Sequence, residues 1–179
     1  MTIHELILQH YNTNNTHKTN IYSNRWNDFV KEFGLFFTIG LPRSGKTTFA
    51  NFWEKKPKDI VICGDEFRQA VYGPEPYKDG CDVQGGNGEC AVSMAILTTL
   101  RTFYNRKYRI LFDETNSTEW SIRRIFEIDR NAQYIIIPTP LEVCLARTQN
   151  DNIGLRHAIH RINNNLKTLD VEKIRKDYL

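Results

Sequence analysis

The segment GLPRSGKTT, residues 40–48, has the residue types and spacing of a loop that binds phosphate groups. It fits the pattern G-x-x-x-x-G-K-[ST]. Gly40 and Gly45 let the backbone turn around the phosphates, so that successive N–H groups and the start of the next helix face the negative charge. Ser44 and Thr48 are expected to complete the loop, with Thr48 either near the α-phosphate or packed against neighbouring residues.

Two side chains of the same segment are predicted to act on the phosphates directly. The ammonium of Lys46 reaches the β- and γ-phosphates, and the hydroxyl of Thr47 ligates Mg²⁺. We therefore expect ATP and Mg²⁺ to be the cofactors. Because kinases, hydrolases and switches all use such a loop, the remaining motifs must decide the reaction.

A second group of candidate residues lies in GDEFRQ, directly after the apolar run at 59–63. A carboxylate just beyond the carboxyl end of a parallel strand lies in the crevice where such sheets bind ligands. Asp65 and Arg68 are one helical turn apart and would share a face. Asp65 would accept the proton of an acceptor hydroxyl, and Arg68 would bind an anionic acceptor. The alternative is a helix-capping Asp65 beside an exposed Arg68.

A third group follows the apolar run in YRILFDETN. Asp113 at the end of such a run is typical of a Walker B strand, whose carboxylate holds Mg²⁺ or its waters. Glu114 allows a different function, in which the carboxylate orients a water that attacks ATP. Thr115 and Asn116 are expected to present polar groups to the same crevice and to bind substrate.

Together these motifs resemble the P-loop polynucleotide 5′-kinases of the phage type and their wider group of hydroxyl kinases. The resemblance runs from about residue 35 to 150 and rests on GLPRSGKTT, GDEFRQ, FDETNST and LEVCLART. It implies transfer of the γ-phosphate of ATP to the 5′-hydroxyl of DNA or RNA. Asp65 would be the general base and Arg68 the ligand of the acceptor phosphate. The family's D-x-T-N motif falls on Asp113, Thr115 and Asn116.

The segment PTPLEVCLARTQND resembles the family's lid helix, in which arginines close over the nucleotide phosphates. Arg147 matches the first of these and is expected to be catalytic, unless it is only an exposed helix residue. The second lid position falls on Asn150 or Asp151, so the usual pair is incomplete. Arg156 or Arg161 would replace it by folding back.

Two other functions stay open at this point. One is a kinase of another hydroxyl, either a hydroxymethylated base in DNA or a nucleoside, nucleotide or other small molecule. The other is an ATP-hydrolysing switch, against which the lack of an N-K-x-D motif argues. The long Gly- and Pro-rich loop at 73–89 is either a flap over the acceptor or a surface insertion.

The elements that must position these residues follow from four apolar runs separated by segments of helical spacing. Continuous apolar runs indicate strands buried on both faces. Their alternation with helices predicts an α/β fold, a P-loop NTPase of the kinase type with a doubly wound parallel sheet of about 4–5 strands. We expect a helical, Asn-rich extension over 1–33 and a kinase domain over 34–179, with a lid at about 140–160 and C-terminal helices. The runs are 35–39, 59–63, 108–112 and 132–138.

Composition sets broad limits on partners and location. The net charge of +3 permits a nucleic-acid partner without requiring one. Basic residues at 123–124 and 156–176 would either follow a phosphate backbone or form a solvated face. No run approaches the ~18–20 apolar residues of a membrane helix, so we expect a cytoplasmic protein, in the host cell if it is viral, with no membrane partner. The 4 cysteines include no C-x-x-C pair and are expected to be reduced thiols.

Overall fold

The computed structural model describes residues 22–23, 33–51, 53, 56–73, 87–148 and 153–178. Most of the predicted N-terminal extension lies outside these residues. The same is true of most of the 73–89 loop and of the second lid position, Asn150 or Asp151.

Within the described residues, five strands form one sheet. The strands are β1 (Tyr22–Ser23), β2 (Gly34–Ile39), β3 (Asp59–Cys63), β4 (Arg109–Asp113) and β5 (Gln133–Ile136). Their order across the sheet is β1–β5–β2–β4–β3. All neighbouring pairs are parallel except β1 and β5, which are antiparallel. The sequence did not predict β1, because two residues are too few to show a periodic pattern.

Seven helices connect and cover these strands in the described part of the chain. The predicted α/β fold with a parallel, doubly wound sheet is confirmed. The helices are α1 (Lys46–Asn51), α2 (Gly64–Tyr72), α3 (Asn87–Asn105), α4 (Glu119–Phe126), α5 (Leu141–Ala146), α6 (Ile153–Thr168) and α7 (Val171–Lys176). None of the helices, as far as they are described, is long and apolar enough to cross a membrane.

Both faces of the central strands are buried, which is why their apolar runs do not alternate with polar residues. On one face Leu35, Phe37 and Ile39 of β2 pack with apolar residues of α3, α4, α6 and α7. On the other face Phe36 packs with Ala50 of α1 and with Trp53. The central strand is therefore fixed from both sides.

The parallel strands all end at one edge of the sheet, here called the carboxyl edge. The loop at 40–45 leaves β2 at this edge, and α2 begins there directly after Cys63. Asp113, the last residue of β4, pairs in register with Cys63. The segments that carry the candidate residues therefore converge on one side of the sheet.

A buried ion pair joins the first residues of β3 and β4, at the edge of the sheet opposite the carboxyl edge. Nε of Arg109 donates to Oδ1 of Asp59 at 2.9 Å, and a second guanidinium nitrogen contacts Oδ2. The guanidinium also lies over the ring of Trp53, 4.8 Å from its centroid. Burial raises the pKa of Asp59, but the hydrogen bonds from Arg109 and from the backbone N–H of Lys56, together with the charge of Arg109, outweigh it and lower the pKa overall. The pair therefore stabilises the fold at neutral pH, and this contribution is lost as the pH falls through the lowered pKa.

We expect Arg109→Met to lower the free energy of unfolding by about 3 kcal/mol, because it leaves the buried charge of Asp59 unpaired. Adding Asp59→Asn should restore part of the loss. Urea denaturation followed by circular dichroism measures both effects. The matched control is Arg123→Met, which removes an exposed arginine paired with Glu119 and Asp177. Equal losses for the two arginines would contradict the role assigned to burial.

Candidate active site

The phosphate-binding loop has a conformation that only certain residues allow. Gly45 has φ of 103° and Arg43 has φ of 64°, both in the left-handed region. A Cβ on Gly40 would lie 3.0 Å from the carbonyl oxygen of Ile137 and 3.0 Å from Oγ of Ser44. A side chain at Gly40 would therefore push the loop away from the segment that follows β5.

Neighbouring segments hold this loop from both sides. Oγ1 of Thr139 donates to the carbonyl of Ser44 at 2.6 Å. The backbone N–H of Gly40 donates to the carbonyl of Thr115 at 3.3 Å. The segments after β4 and β5 thus fix the loop, and the buried Oγ of Ser44 has no hydrogen-bond partner among the described residues.

Lys46 is a buried ammonium group at the start of α1. Its Nζ donates to the carbonyl of Leu41, at the beginning of the same loop, at 2.7 Å. Burial lowers the pKa of Lys46, whereas the carboxylates of Asp113, Glu114 and Asp65 oppose this change. The structure therefore brings the loop lysine into the electrostatic reach of all three acidic candidates.

Asp113 lies between two threonine hydroxyls. Oγ1 of Thr47 donates to Oδ2 of Asp113 at 2.9 Å, so the two predicted Mg²⁺ ligands are adjacent. Oγ1 of Thr38 lies 3.3 Å from Oδ1 of Asp113 and 2.9 Å from the carbonyl of Glu114. Burial raises the pKa of Asp113, while the hydrogen bond from Thr47 and the charge of Lys46 lower it.

The pair of Thr47 and Asp113 fits Mg²⁺ in the chemistry of its donors. Mg²⁺ prefers oxygen ligands and is usually held by one or two protein groups together with waters and substrate phosphates. No cluster of three His, Cys, Asp or Glu that could hold a metal ion occurs in the part of the chain that the structure describes. Nucleotide oxygens and waters would therefore complete the coordination.

The turn after β4 is fixed by Asn116. Its Nδ2 donates to the backbone carbonyl of Thr38 at 2.9 Å, and its φ of 44° is left-handed. The side chain is buried, and no described residue hydrogen-bonds its Oδ1. The amide side chain of Asn116 thus fastens the residues after Asp113 to β2. The backbone N–H of Thr115 donates to Oε1 of Glu114 at 3.3 Å.

Arg68 joins three carboxylates from three different segments. Its Nη1 donates to Oδ1 of Asp65 at 3.2 Å and to Oε2 of Glu114 at 2.9 Å, and its Nη2 donates to Oε1 of Glu89 at 2.9 Å. The side chain of Arg68 is only 15% exposed, whereas that of Asp65 is 61% exposed. The interpretation of Arg68 as an exposed residue is therefore wrong. Asp65 is the member of this cluster that solvent and ligands can reach.

The N-terminus of α2 shows that Asp65 is not the N-cap residue of this helix. The N-cap residue is Cys63, with no side-chain hydrogen bond to the helix, and Asp65 lies inside α2. A Cβ on Gly64 would lie 1.8 Å from Oε2 of Glu114. The glycine before Asp65 therefore makes room for the ion pair between Glu114 and Arg68. Burial raises the pKa of Glu114, and the charge of Arg68 lowers it.

Arg147, the predicted first lid arginine, contacts the phosphate-binding loop. Nη1 of Arg147, which directly follows α5, donates to the carbonyl of Arg43 at 3.0 Å. Nη1 of Arg156 in α6 donates to the carbonyl of Leu145 at 3.3 Å. Arg156, one of the two suggested substitutes for the second lid arginine, is thus held against α5, the helix that Arg147 follows.

Comparison with known proteins identifies the family. Residues 35–152 match a family model described as an AAA domain, AAA_33. The chain belongs to this family. A solved chain from "Structure of the Pnkp1/Rnl/Hen1 RNA repair complex" is 16% identical and has a TM-score of 0.59; the match covers 83% of this chain and 50% of that one. A chain from "Structure of Pnkp1/Rnl/Hen1 complex" is 18% identical with a TM-score of 0.54, over 68% of this chain and 42% of that one.

These matches confirm the P-loop kinase fold that the sequence of this chain predicts. The chain spans at most about half the length of the two solved chains. None of the curated proteins is similar enough to match it.

Sequence reasoning missed three residues that hold the site together: Thr38, Glu89 and Thr139. The signal for Thr38 was present, because it is the one polar residue inside the buried run LFFTI. Glu89 and Thr139 had no comparable signal. Their partners, Arg68 and Ser44, are distant in sequence.

We expect Thr38→Val to raise the Mg²⁺ concentration needed for half-maximal ATP turnover by roughly 10-fold, since partners that orient a metal ligand are typically worth that much. Thr38→Ser keeps the hydroxyl and should stay close to wild type. Steady-state rates over a Mg²⁺ titration measure the effect. An unchanged Mg²⁺ dependence in Thr38→Val would show that the hydroxyl does not position Asp113.

Proposed function

We propose that this chain is an ATP-dependent kinase that transfers the γ-phosphate of ATP to a hydroxyl group. One observation carries the proposal: an exposed carboxylate, Asp65, is held by Arg68, which also pairs with Glu114, the residue directly after Asp113. A hydrolase or switch needs a carboxylate that orients water. A kinase needs a base that is open to an acceptor.

The residues divide into a nucleotide side and an acceptor side. On the nucleotide side, the loop N–H groups and Lys46 would hold the β- and γ-phosphates of ATP, and Thr47 and Asp113 would hold Mg²⁺. When bound, Mg²⁺ neutralises charge on the β- and γ-phosphate oxygens. Arg147, which already contacts the loop, would add positive charge above the phosphates.

On the acceptor side, the hydroxyl oxygen of the acceptor attacks the γ-phosphorus. Asp65 accepts the proton of that hydroxyl. The bond between the γ-phosphorus and the β–γ bridging oxygen breaks, and ADP leaves with that electron pair. Lys46 stabilises the charge that gathers on the transferred group. The products are ADP and a phosphate monoester of the acceptor.

The contacts of Glu114 argue against hydrolysis. Its Oε2 accepts from Arg68 and its Oε1 accepts from the N–H of Thr115. Both oxygens are therefore engaged within the protein. A carboxylate whose two oxygens already accept hydrogen bonds from the protein is poorly suited to orient an attacking water.

For the acceptor, we propose the 5′-hydroxyl end of DNA or RNA. The motifs resemble those of polynucleotide 5′-kinases, and the fold resembles that of a chain from an RNA repair complex. A second candidate is a hydroxyl compound without a neighbouring phosphate. It is favoured by the three carboxylates around Arg68, because an incoming phosphate would have to displace one of them.

We expect Asp65→Asn to lower kcat by roughly 10²–10⁴-fold, because the amide cannot accept the proton. ATP affinity should change little. Transfer of label from γ-labelled ATP to acceptor measures the effect, with Glu114→Gln as the matched control that removes a neighbouring carboxylate. If Glu114→Gln abolishes activity and Asp65→Asn does not, the chain is a hydrolase rather than a kinase.

The acceptor is identified by offering wild type four compounds: a 5′-hydroxyl oligonucleotide, a nucleoside 3′-monophosphate, the matching nucleoside and duplex DNA with a hydroxymethylated base. Label that digestion releases as a 5′-phosphonucleotide supports the 5′-end proposal. Preference for the nucleoside over its 3′-phosphate supports the second candidate. Label within the strand indicates base modification, and free phosphate with every acceptor contradicts kinase activity.

A further inference from the structure

Trp120 is an exposed aromatic side chain at the start of α4. The residue is 55% exposed, while Trp53 is buried in the core. The guanidinium of Arg124, one turn along the same helix, lies 5.2 Å from the centroid of the Trp120 ring. A large apolar ring that carries a cation on one side and is open elsewhere has the features of a stacking surface.

The start of α4, which carries Trp120, is fastened to the rest of the candidate active site. The turn between Asp113 and α4 is fastened to β2 by Asn116. Thr118 caps α4, because its Oγ1 accepts from the N–H of Ser121 at 3.2 Å and the N–H of Thr118 donates back to Oγ of Ser121 at 3.3 Å. Trp120 therefore sits on a fixed helix start at the carboxyl edge.

Ion pairs tie α4 to elements on both of its sides. Arg124 pairs with Glu127 at 3.7 Å, and Glu127 also lies 3.8 Å from Arg101 of α3. Arg123 pairs with Asp177, which directly follows α7. Trp120 is a surface neighbour of both arginines, since residues i, i+3 and i+4 share a helix face.

The turn before α4 reaches the acceptor side of the candidate site. It begins with Glu114, which directly follows β4 and pairs with Arg68 at 2.9 Å. Glu89, near the start of α3, also holds Arg68. Trp120 is six residues after Glu114, so it lies at the same carboxyl edge as the cluster around Arg68.

We propose that Trp120, backed by Arg124, is the surface on which a nucleobase of the acceptor stacks. This inference rests on the proposed function, because it concerns the acceptor of the same reaction. Every base has a flat π-face, so stacking on Trp120 would recognise nucleic-acid or nucleoside acceptors without selecting a sequence. The acceptor class would be a compound that carries a nucleobase.

The test measures binding without ATP, so that it does not depend on catalysis. We expect Trp120→Ala to raise the Kd of a fluorescently labelled 5′-hydroxyl oligonucleotide about 10-fold, the usual order for loss of one base–aromatic stack. Trp120→Phe should keep part of the affinity. An oligonucleotide whose first residues are abasic should bind wild type as weakly as the intact oligonucleotide binds Trp120→Ala.

The chain offers a matched control in Phe33. It is 40% exposed and carries Nζ of Lys107 4.7 Å from its ring centroid, but it directly precedes β2 at the opposite edge of the sheet. Phe33→Ala should leave the Kd unchanged. Equal Kd values for wild type and Trp120→Ala, or equal losses in Trp120→Ala and Phe33→Ala, would overturn the proposal.

Measuring the Kd of a mononucleoside shows whether the base that stacks on Trp120 is the acceptor's own base. A loss of affinity for both oligonucleotide and nucleoside in Trp120→Ala supports stacking of the acceptor's own base. Binding that is insensitive to removal of the bases overturns the proposal. Failure of the proposed function has a different signature, which is the absence of label transfer to any acceptor, whatever the binding data give.

Discussion

The site depends on how the carboxylate of Asp113 is held at the junction of two adjacent parallel strands. Thr38 of β2 and Thr47 of α1 contact its two oxygens, so the end of β4 is fastened to the strand before the phosphate-binding loop and to the helix after it. Asn116 joins the turn after β4 to β2 a second time, because its side chain donates to the carbonyl of Thr38. Without these contacts the loop and the Walker B aspartate would be separate features of neighbouring strands.

A second constraint acts around Arg68. Arg68 gathers Asp65, Glu89 and Glu114 at one point, and Gly64 leaves the space that this arrangement requires. Burying a guanidinium among carboxylates satisfies its donors and fixes its geometry. The exposed Asp65 is thereby held in place by a largely buried residue, which suits the role of general base that we propose for it.

Local features of the chain could be predicted because short segments determine them. The loop at 40–48 is fixed by glycine positions, and Gly45 indeed takes a left-handed φ. Continuous apolar runs identified β2 to β5, and a carboxylate after such a run identified Asp65 and Asp113. The partners of Arg68 could not be predicted, because Glu89 and Glu114 are 21 and 46 residues away and only the folded chain brings them together. The role of Thr38 likewise depends on the register between β2 and β4.

The central claim is that the loop and Asp113 form one binding site for ATP with Mg²⁺. Calorimetric titration of ATP into wild type and Lys46→Ala, each with and without Mg²⁺, tests it most directly. We expect wild type to bind ATP more tightly with Mg²⁺ than without, and Lys46→Ala to lose affinity by roughly 10- to 100-fold, because a hydrogen bond to a charged group is worth about 1.5–3 kcal/mol. Equal affinity of the two proteins for ATP in the presence of Mg²⁺ would contradict the claim.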